Sequence, residues 1–121
     1  MKKLTSGIKW EENFSTALET SKNTNKSLLL YFYADWCPTC TRMSQVTYSD
    51  SSVTEKIKNF IPVKINIDKN QMLANQYDGN AKIHGGPGIP TTIILNAEGS
   101  PVTKSHGYLD SQQLLNVLNH I

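Results

Sequence analysis

Residues 31–40 have the sequence Tyr-Phe-Tyr-Ala-Asp-Trp-Cys-Pro-Thr-Cys, and the other elements are most easily placed relative to them. The apolar, aromatic-rich run from Leu28 to Ala34 predicts a buried strand. Helix-compatible residues continue beyond Cys40, so this stretch predicts a strand that delivers two cysteines to the first turn of a helix. Cys37 would then lie at the helix N-terminus, where free N–H groups and the helix dipole favour a thiolate. Cys40 would lie on the same helical face, within reach of the Cys37 sulfur.

The chain contains two cysteines, both in this stretch, and three interpretations of the pair are open. On the chain-entropy model, a disulfide across four residues stabilises by only about 2 kcal/mol, against about 3 kcal/mol across fifteen. A labile, redox-active disulfide is therefore the interpretation we favour over an inert pair or a metal site. Structural zinc needs four ligands, and the three histidines (His84, His106 and His120) lack short ligand spacing to the cysteines. We accordingly predict no metal and no bound cofactor beyond the Cys37–Cys40 disulfide.

The segment Trp36-Cys37-Pro38-Thr39-Cys40 after a hydrophobic strand resembles the active site of the thioredoxin superfamily, and Ile89-Pro90-Thr91 resembles its cis-proline loop. The resemblance extends from about Ile8 to about Leu118. Within the superfamily, residues 33–37 and 8–10 are most similar to thioredoxin-like domains of bacterial disulfide-interchange reductases. The resemblance implies an α/β thioredoxin fold, with a central mixed β-sheet flanked by helices on both faces, in a single domain over residues 1–121.

The pattern of apolar residues leads to the same mixed sheet without the resemblance, because strands and helices alternate along the chain in the order β-α-β-α-β-α-β-β-α, in which the second helix is broken into two pieces. Met43 and Met72 are predicted to pack in the core or at its rim. Strands are predicted at 8–10, 28–34, 61–67, 91–95 and 101–106, helices at 11–22, 40–48, 53–60, 69–77 and 110–121, and a glycine-rich loop at 78–90. Helix N-caps are predicted within the polar run 49–52, which contains Asp50, and at Asp110.

Each residue near the cysteines has a predicted role. Disulfide exchange needs an accessible thiolate, so Cys37, at the least covered end of the helix, would attack a substrate disulfide. Cys40, one turn deeper, would resolve the mixed disulfide. The resemblance implies that Trp36 shields the site and contacts substrate, although a half-buried core tryptophan is the alternative. It also implies that Ile89, before a cis Pro90, presents its backbone to an extended substrate chain. An ordinary trans proline that enters a strand is the alternative.

The chain departs from the family pattern beneath the second cysteine. Thioredoxins usually have a buried Asp six positions before the first cysteine, where this chain has Tyr31, and reductase-like domains can have a Glu seven positions after it, where Ser44 stands. Lys64 matches the lysine that usually faces the buried Asp. We hypothesise that the Tyr31 hydroxyl, Lys64 and a water share the proton of Cys40. The alternatives are slow deprotonation, or a Tyr31 that merely fills the core, and Asp35 is interpreted as a solvated surface charge.

The residues between the cysteines bear on the direction of electron flow. Pro38-Thr39 is neither the Gly-Pro pair of reducing thioredoxins nor the His-containing pair of strong oxidants. Because no histidine cation strengthens the thiolate, we expect a reductant. One hydrogen bond to the Cys37 thiolate would shift the reduction potential by tens of millivolts, so these two residues alone do not determine it.

Length and charge restrict the classes of function. A chain of 121 residues can build one core, and a net charge of +2 is too small to indicate a nucleic-acid partner. No apolar run approaches the ~18 residues of a membrane helix. Residues 1–4 begin like a signal peptide, but Thr5-Ser6-Gly7 follows instead of an apolar core. We therefore expect a monomer that is cytoplasmic, or an exported domain whose leader or anchor has been removed.

Two functional hypotheses follow. The first is a thiol–disulfide oxidoreductase that reduces protein disulfides, with disulfide-containing proteins as substrates and a separate electron donor or acceptor that recycles it. The second is a peptide-binding or adaptor module of the same fold with little redox turnover.

Overall fold

A computed structural model describes residues 8–77, 82–83 and 86–121 of the chain. Within these ranges the helices are α1 (Phe14–Thr24), α2 (Pro38–Val46), α3 (Ser51–Ile57), α4 (Gln71–Gln76) and α5 (Ser111–Asn119). The strands are β1 (Leu28–Tyr33), β2 (Ile61–Asn66), β3 (Lys82–Ile83), β4 (Gly86–Pro87), β5 (Thr91–Leu95) and β6 (Pro101–His106).

Four strands form one mixed sheet in the order β2-β1-β5-β6. β1 and β2 run parallel, whereas β5 is antiparallel to both β1 and β6. Because β1 lies inside the sheet, its residues from Leu28 to Phe32 are all buried, as the uninterrupted apolar run predicts.

The two faces of the sheet pack against different helices, because alternate residues of a strand point to opposite sides. On one face, Leu28, Leu30 and Phe32 pack in a cluster with residues of α1 and α4. On the other face, Leu29 and Tyr31 pack with residues of α2, α3 and α5. The predicted mixed sheet with helices on both faces is therefore confirmed. The extent of the domain over residues 1–121 stays a prediction.

Two expectations at the N-terminal end were wrong. In place of a strand at Ile8–Trp10 there is a single parallel bridge from Glu11 to β2. α1 begins at Phe14 rather than Glu11, because Asn13 is its N-cap. The Asn13 side-chain oxygen accepts a hydrogen bond from the backbone N–H of Thr16 at 3.0 Å. The apolar spacing thus predicted the helix but not its start.

Two aspartates begin helices where the sequence predicted caps. Asp50 accepts a hydrogen bond from the Ser52 N–H at 2.9 Å, which starts α3 after the break that follows α2. Asp110 and Gln113 form a reciprocal capping box at the start of α5. These two helices are therefore anchored at their N-termini by their own sequences.

The predicted loop at 78–90 contains a short antiparallel pair, β3 with β4. Residues 78–81 and 84–85 lie outside the described part of the chain, and with them His84. Met43 is buried in the core as predicted, whereas the prediction for Met72 was wrong, because its side chain is exposed on α4.

An aromatic cluster lies on the face of the sheet that α2 covers. The ring of Tyr31 lies 5.8 Å from that of Tyr33, 4.9 Å from Tyr48 and 5.7 Å from Trp10. Within the described residues, the buried hydroxyls of Tyr48 and Thr92 have no hydrogen-bond partner. Burial raises the pKa of Tyr48, and the nearby Thr92 hydroxyl partly offsets that rise. The two hydroxyls nevertheless do not meet hydrogen-bond geometry.

We expect Tyr48→Phe to raise the free energy of unfolding by about 1 kcal/mol, because it removes a buried hydroxyl without a described partner. Tyr31→Phe is the matched control. Its hydroxyl donates to the Cys40 carbonyl oxygen at 2.8 Å, and losing that bond should lower the free energy of unfolding by about 1 kcal/mol. Urea denaturation of both oxidised variants measures the two effects. Changes of the same sign would contradict this account of the cluster.

Candidate active site

Cys37 is the N-cap of α2, as the strand-to-helix pattern predicts. Its backbone is extended (φ −97°, ψ 104°), and Pro38 occupies the first helical position, where a missing N–H costs nothing. The backbone N–H of Cys40 donates to Cys37 Sγ at 3.2 Å. In the reduced form the same N–H and the helix dipole would favour a thiolate at this atom.

Cys37 and Cys40 form a disulfide, with their Cα atoms 5.2 Å apart. Cys37 is 5% exposed and Cys40 2%, so the first cysteine is the more accessible, as expected. Cys37 is nevertheless less accessible to solvent than we expected of an attacking thiolate. Both cysteines belong to a cluster of buried apolar side chains that includes Ala34 and Ile89. Only a small part of Cys37 is therefore exposed to solvent.

The Trp36 side chain lies at the surface next to the disulfide. It is 56% exposed, so the alternative of a half-buried core tryptophan was wrong. Its indole N–H donates to Asp68 Oδ2 at 2.7 Å, and the Asp68 N–H in turn donates to Asn66 Oδ1 at 2.9 Å. Sequence reasoning missed Asp68, because it lies 32 residues from Trp36 and carries no local signal.

The Ile89–Pro90 peptide bond is cis, as the resemblance implied, and the trans alternative was wrong. Ile89 is buried in the same apolar cluster as the two cysteines. The Pro90 carbonyl oxygen accepts a hydrogen bond from the Gly107 N–H at 2.7 Å, which ties the segment to the end of β6. The fold thus brings the predicted recognition segment to the disulfide.

The hydrogen bonds of Tyr31 differ from the role predicted for it. Its hydroxyl donates to the Cys40 carbonyl oxygen at 2.8 Å and lies 3.4 Å from Ser44 Oγ. Burial raises the pKa of Tyr31 to about 12, so the hydroxyl stays protonated at neutral pH. Tyr31 therefore holds the backbone of α2 as a donor, which is not the arrangement of a proton acceptor.

Lys64 also differs from its predicted role. It is paired in register with Tyr31, but its Nζ lies 4.0 Å from a Glu12 carboxylate oxygen and 6.0 Å from the centre of the Tyr33 ring. Its ammonium group is thus directed to a surface carboxylate. These contacts do not favour Lys64 as a partner of the cysteines.

A groove of about 280 Å³ opens beside Cys40. Among its described lining residues, Asp35 has the only carboxylate, and it is exposed, as predicted. The Asn66 amide donates to Asp35 Oδ2 at 3.4 Å. The pKa of Tyr33 is raised, first by burial and then by Asp35. The described lining residues are Tyr33, Ala34, Asp35, Cys40, Thr41, Ser44 and Gln45. Other charged groups near this end of the sheet are Asp68, Lys64 and Glu12.

Pro38 and Thr39 are both exposed on the first turn of α2. Neither brings a charge to Cys37. Among the described side chains, no group of three His, Cys, Asp or Glu residues is placed to hold a metal ion. None of the described helices has the length and apolar character needed to cross a membrane.

Residues 14–121 match the family of the thioredoxin-like domain. The chain belongs to this family. The thioredoxin fold inferred from the Trp36–Cys40 motif is therefore confirmed, and the disulfide occupies the motif through which the resemblance was first seen.

The thioredoxin-like chain is similar to two bacterial proteins named thiol:disulfide interchange protein DsbD. It is 30% identical to that of Actinobacillus pleuropneumoniae over 98 residues, which cover 79% of this chain and 16% of the relative. It is 31% identical to that of Vibrio cholerae over 105 residues, which cover 85% and 17%. The chain thus spans less than a fifth of the length of these relatives.

Among solved structures, a thioredoxin from Thermus thermophilus superposes with a TM-score of 0.78 at 22% identity, over 94% of this chain and 86% of that one. This likeness shows the fold. The monomeric state, the compartment and the individual residue roles stay predictions.

Proposed function

We propose that this thioredoxin-like chain is a thiol–disulfide oxidoreductase that reduces the disulfides of protein substrates. The observation that carries the proposal is the Cys37–Cys40 disulfide at the start of α2, with Cys37 Sγ as acceptor of a helix N–H. Similarity to proteins named thiol:disulfide interchange proteins supports it.

The reaction proceeds in two exchange steps. The Cys37 thiolate attacks one sulfur of the substrate disulfide, the substrate S–S bond breaks, and its other sulfur leaves as a thiolate that takes up a proton. Cys40 then loses its proton and attacks Cys37 Sγ, which forms the intramolecular disulfide and releases the second substrate thiol. Two electrons pass to the substrate, and a separate dithiol partner returns two electrons to the Cys37–Cys40 disulfide.

We assign the direction as reduction. Pro38 and Thr39 place no cation beside Cys37, so nothing between the cysteines stabilises the thiolate as strongly as a histidine cation would. A less stabilised dithiol gives up its electrons more readily. Equilibration in glutathione buffers measures the potential. A value above that of the glutathione pool would contradict this direction.

Trp36 and the Ile89–Pro90 segment are the substrate contacts of this proposal. Trp36 is exposed and held by Asp68 beside the disulfide, and Ile89 packs with both cysteines. A chain joined to Cys37 would lie between them as an extended strand. NMR spectra of the Cys40→Ser chain, with Cys37 held in a mixed disulfide with a peptide, test the assignment. An indole resonance of Trp36 that does not move would contradict it.

Asp35 is the group to which we assign the proton of Cys40, in place of Tyr31 and Lys64. Its carboxylate lines the same groove as Cys40, where water can bridge the two. General-base catalysis of a proton transfer is typically worth 10²–10⁴-fold, and a solvated carboxylate acting through water belongs below that range.

We expect Asp35→Asn to slow mixed-disulfide resolution about 5-fold near neutral pH. The effect should shrink as the pH rises, because hydroxide in solution then removes the Cys40 proton without help from the carboxylate. Stopped-flow kinetics across pH measure this. Glu98→Gln, in the exposed turn after β5, makes the same change of net charge away from the groove. An Asp35→Asn profile parallel to that of Glu98→Gln at every pH would contradict the assignment.

A second candidate, a peptide-binding or adaptor module, is favoured by one observation: Cys37 is only 5% exposed. Such a module would bind extended peptides at Ile89 without needing the disulfide chemistry.

The two candidates are separated by assays of protein-disulfide reduction and of peptide binding. Catalysed reduction of insulin that is lost in Cys37→Ser supports the oxidoreductase. Peptide capture that persists in the double variant Cys37→Ser, Cys40→Ser, with no reductase activity in the unaltered chain, supports the module.

A further inference from the structure

His106 ends β6 beside the cis-proline segment and has no part in the mechanism proposed above. It is paired in register with Thr91, which follows Pro90. The buried Thr91 Oγ1 lies 2.6 Å from the Gly88 carbonyl oxygen and 2.9 Å from His106 Nδ1. Three groups thus form a hydrogen-bonded chain across the segment from residue 88 to residue 91.

The direction of every bond in this chain follows from counting protons. A threonine hydroxyl has one proton, and a carbonyl oxygen can only accept. Thr91 therefore donates to Gly88, and the second bond must be donated by His106 Nδ1. A neutral imidazole has one N–H, so His106 is the Nδ1–H tautomer and its Nε2 carries no proton. The imidazolium form also donates from Nδ1, so the chain is kept in both charge states.

We propose that His106 is a positioning residue for substrate recognition. Its Nδ1–H holds the Thr91 hydroxyl in the orientation that donates to the Gly88 carbonyl oxygen. The hydrogen bond from His106 also polarises this hydroxyl and so strengthens its hydrogen bond to Gly88. The Gly107 N–H, one residue further, holds the Pro90 carbonyl at 2.7 Å. The end of β6 therefore fixes the segment on both sides of Ile89.

The role rests on the proposed function, in which the Ile89 backbone binds an extended substrate chain. A main-chain edge binds well only when its own peptide groups are already oriented. A loosened segment should weaken the binding of protein substrates. The chemistry of the disulfide itself does not use this segment, so a small disulfide should react as before.

The tautomer can be measured without altering the protein. Long-range ¹H–¹⁵N correlation spectra of the ¹⁵N-labelled oxidised chain distinguish the two neutral forms of each histidine, and His106→Asn identifies the signal of His106. We expect the Nδ1–H form. An Nε2–H form would overturn the proposal.

Kinetics test the positioning role. We expect His106→Leu to raise KM for insulin about 3- to 10-fold, the effect of one lost hydrogen bond, while kcat and the rate with a small aromatic disulfide stay within about 2-fold. The Asn side-chain amide can donate from near the Nδ1 position, so His106→Asn should restore KM to within about 2-fold.

Unchanged KM in His106→Leu, equal loss with insulin and with the small disulfide, or failure of His106→Asn to restore binding would each overturn the proposal. The proposed function fails separately, when the unaltered chain reduces neither insulin nor the small disulfide.

Discussion

Replacing Cys40 by serine is expected to lower the turnover of protein-disulfide reduction by at least about 100-fold while leaving Cys37 able to form mixed disulfides. Cys40 acts intramolecularly, and well-oriented intramolecular groups have effective concentrations far above those of thiols in solution. In the oxidised chain the two cysteines are already bonded, with Cα atoms 5.2 Å apart, so no rearrangement of the backbone is needed to resolve the intermediate.

The amount of trapped mixed disulfide is the quantity to measure. Cys40→Ser should accumulate a covalent complex with insulin chains. Non-reducing electrophoresis separates this complex from the free chain, and dithiothreitol cleaves it by reducing the mixed disulfide. Cys37→Ser is the matched control and should accumulate none, because its remaining thiol belongs to the more deeply buried residue, which is 2% exposed. Complexes on Cys40 but not on Cys37 would reverse the assigned roles. Turnover in Cys40→Ser close to that of the unaltered chain would contradict the two-step mechanism.

Replacing Met43 by alanine is expected to lower the free energy of unfolding by about 3 kcal/mol, within the 2–5 kcal/mol range for such changes in a core. Met43 is fully buried on the face of α2 that packs against the sheet, in the cluster with Leu29, Tyr48 and Leu114. Removing its side chain leaves a cavity that these neighbours fill only in part. α2 also carries Cys40 and has Cys37 as its N-cap, so its packing supports the site.

Val46→Ala is the matched control for this change, because Val46 lies on the same helix but is 51% exposed. Its effect should stay within about 0.5 kcal/mol. Urea denaturation of the two oxidised variants measures both effects. Similar losses for the two would mean that helix propensity, not burial, determines the stability of α2.

Local sequence was enough to predict how the site begins. An apolar run followed by Cys37 and Pro38 predicts a strand and a helix start, because the interactions involved join residues at most four positions apart. For the same reason Asp50 and Asp110 were predicted as caps. Asn13 was missed because the apolar Trp10, three positions earlier, and the acidic residues at 11 and 12 suggested an earlier start for α1.

Other features of the site depend on segments far apart in the chain. Cys37 is buried in a cluster that it shares with Ile89, which lies far from it in the sequence. The replacement of an acidic residue by Tyr31 was visible in the sequence. That its hydroxyl binds a carbonyl oxygen of α2 was not, because the bond depends on how closely the helix approaches β1.

By itself, the sequence pattern determined a mixed sheet between helices and the pair of cysteines at a helix start, and the resemblance to the thioredoxin superfamily implied which segment approaches them. Periodicity, capping and motif spacing are local, and each is set by the chemistry of a few neighbouring residues. Only the tertiary structure decided that Asp68 binds the Trp36 indole and that His106 lies within hydrogen-bond distance of Thr91, beside the cis-proline segment. Those contacts join residues far apart in the chain, which only the order and register of the strands bring within hydrogen-bond distance.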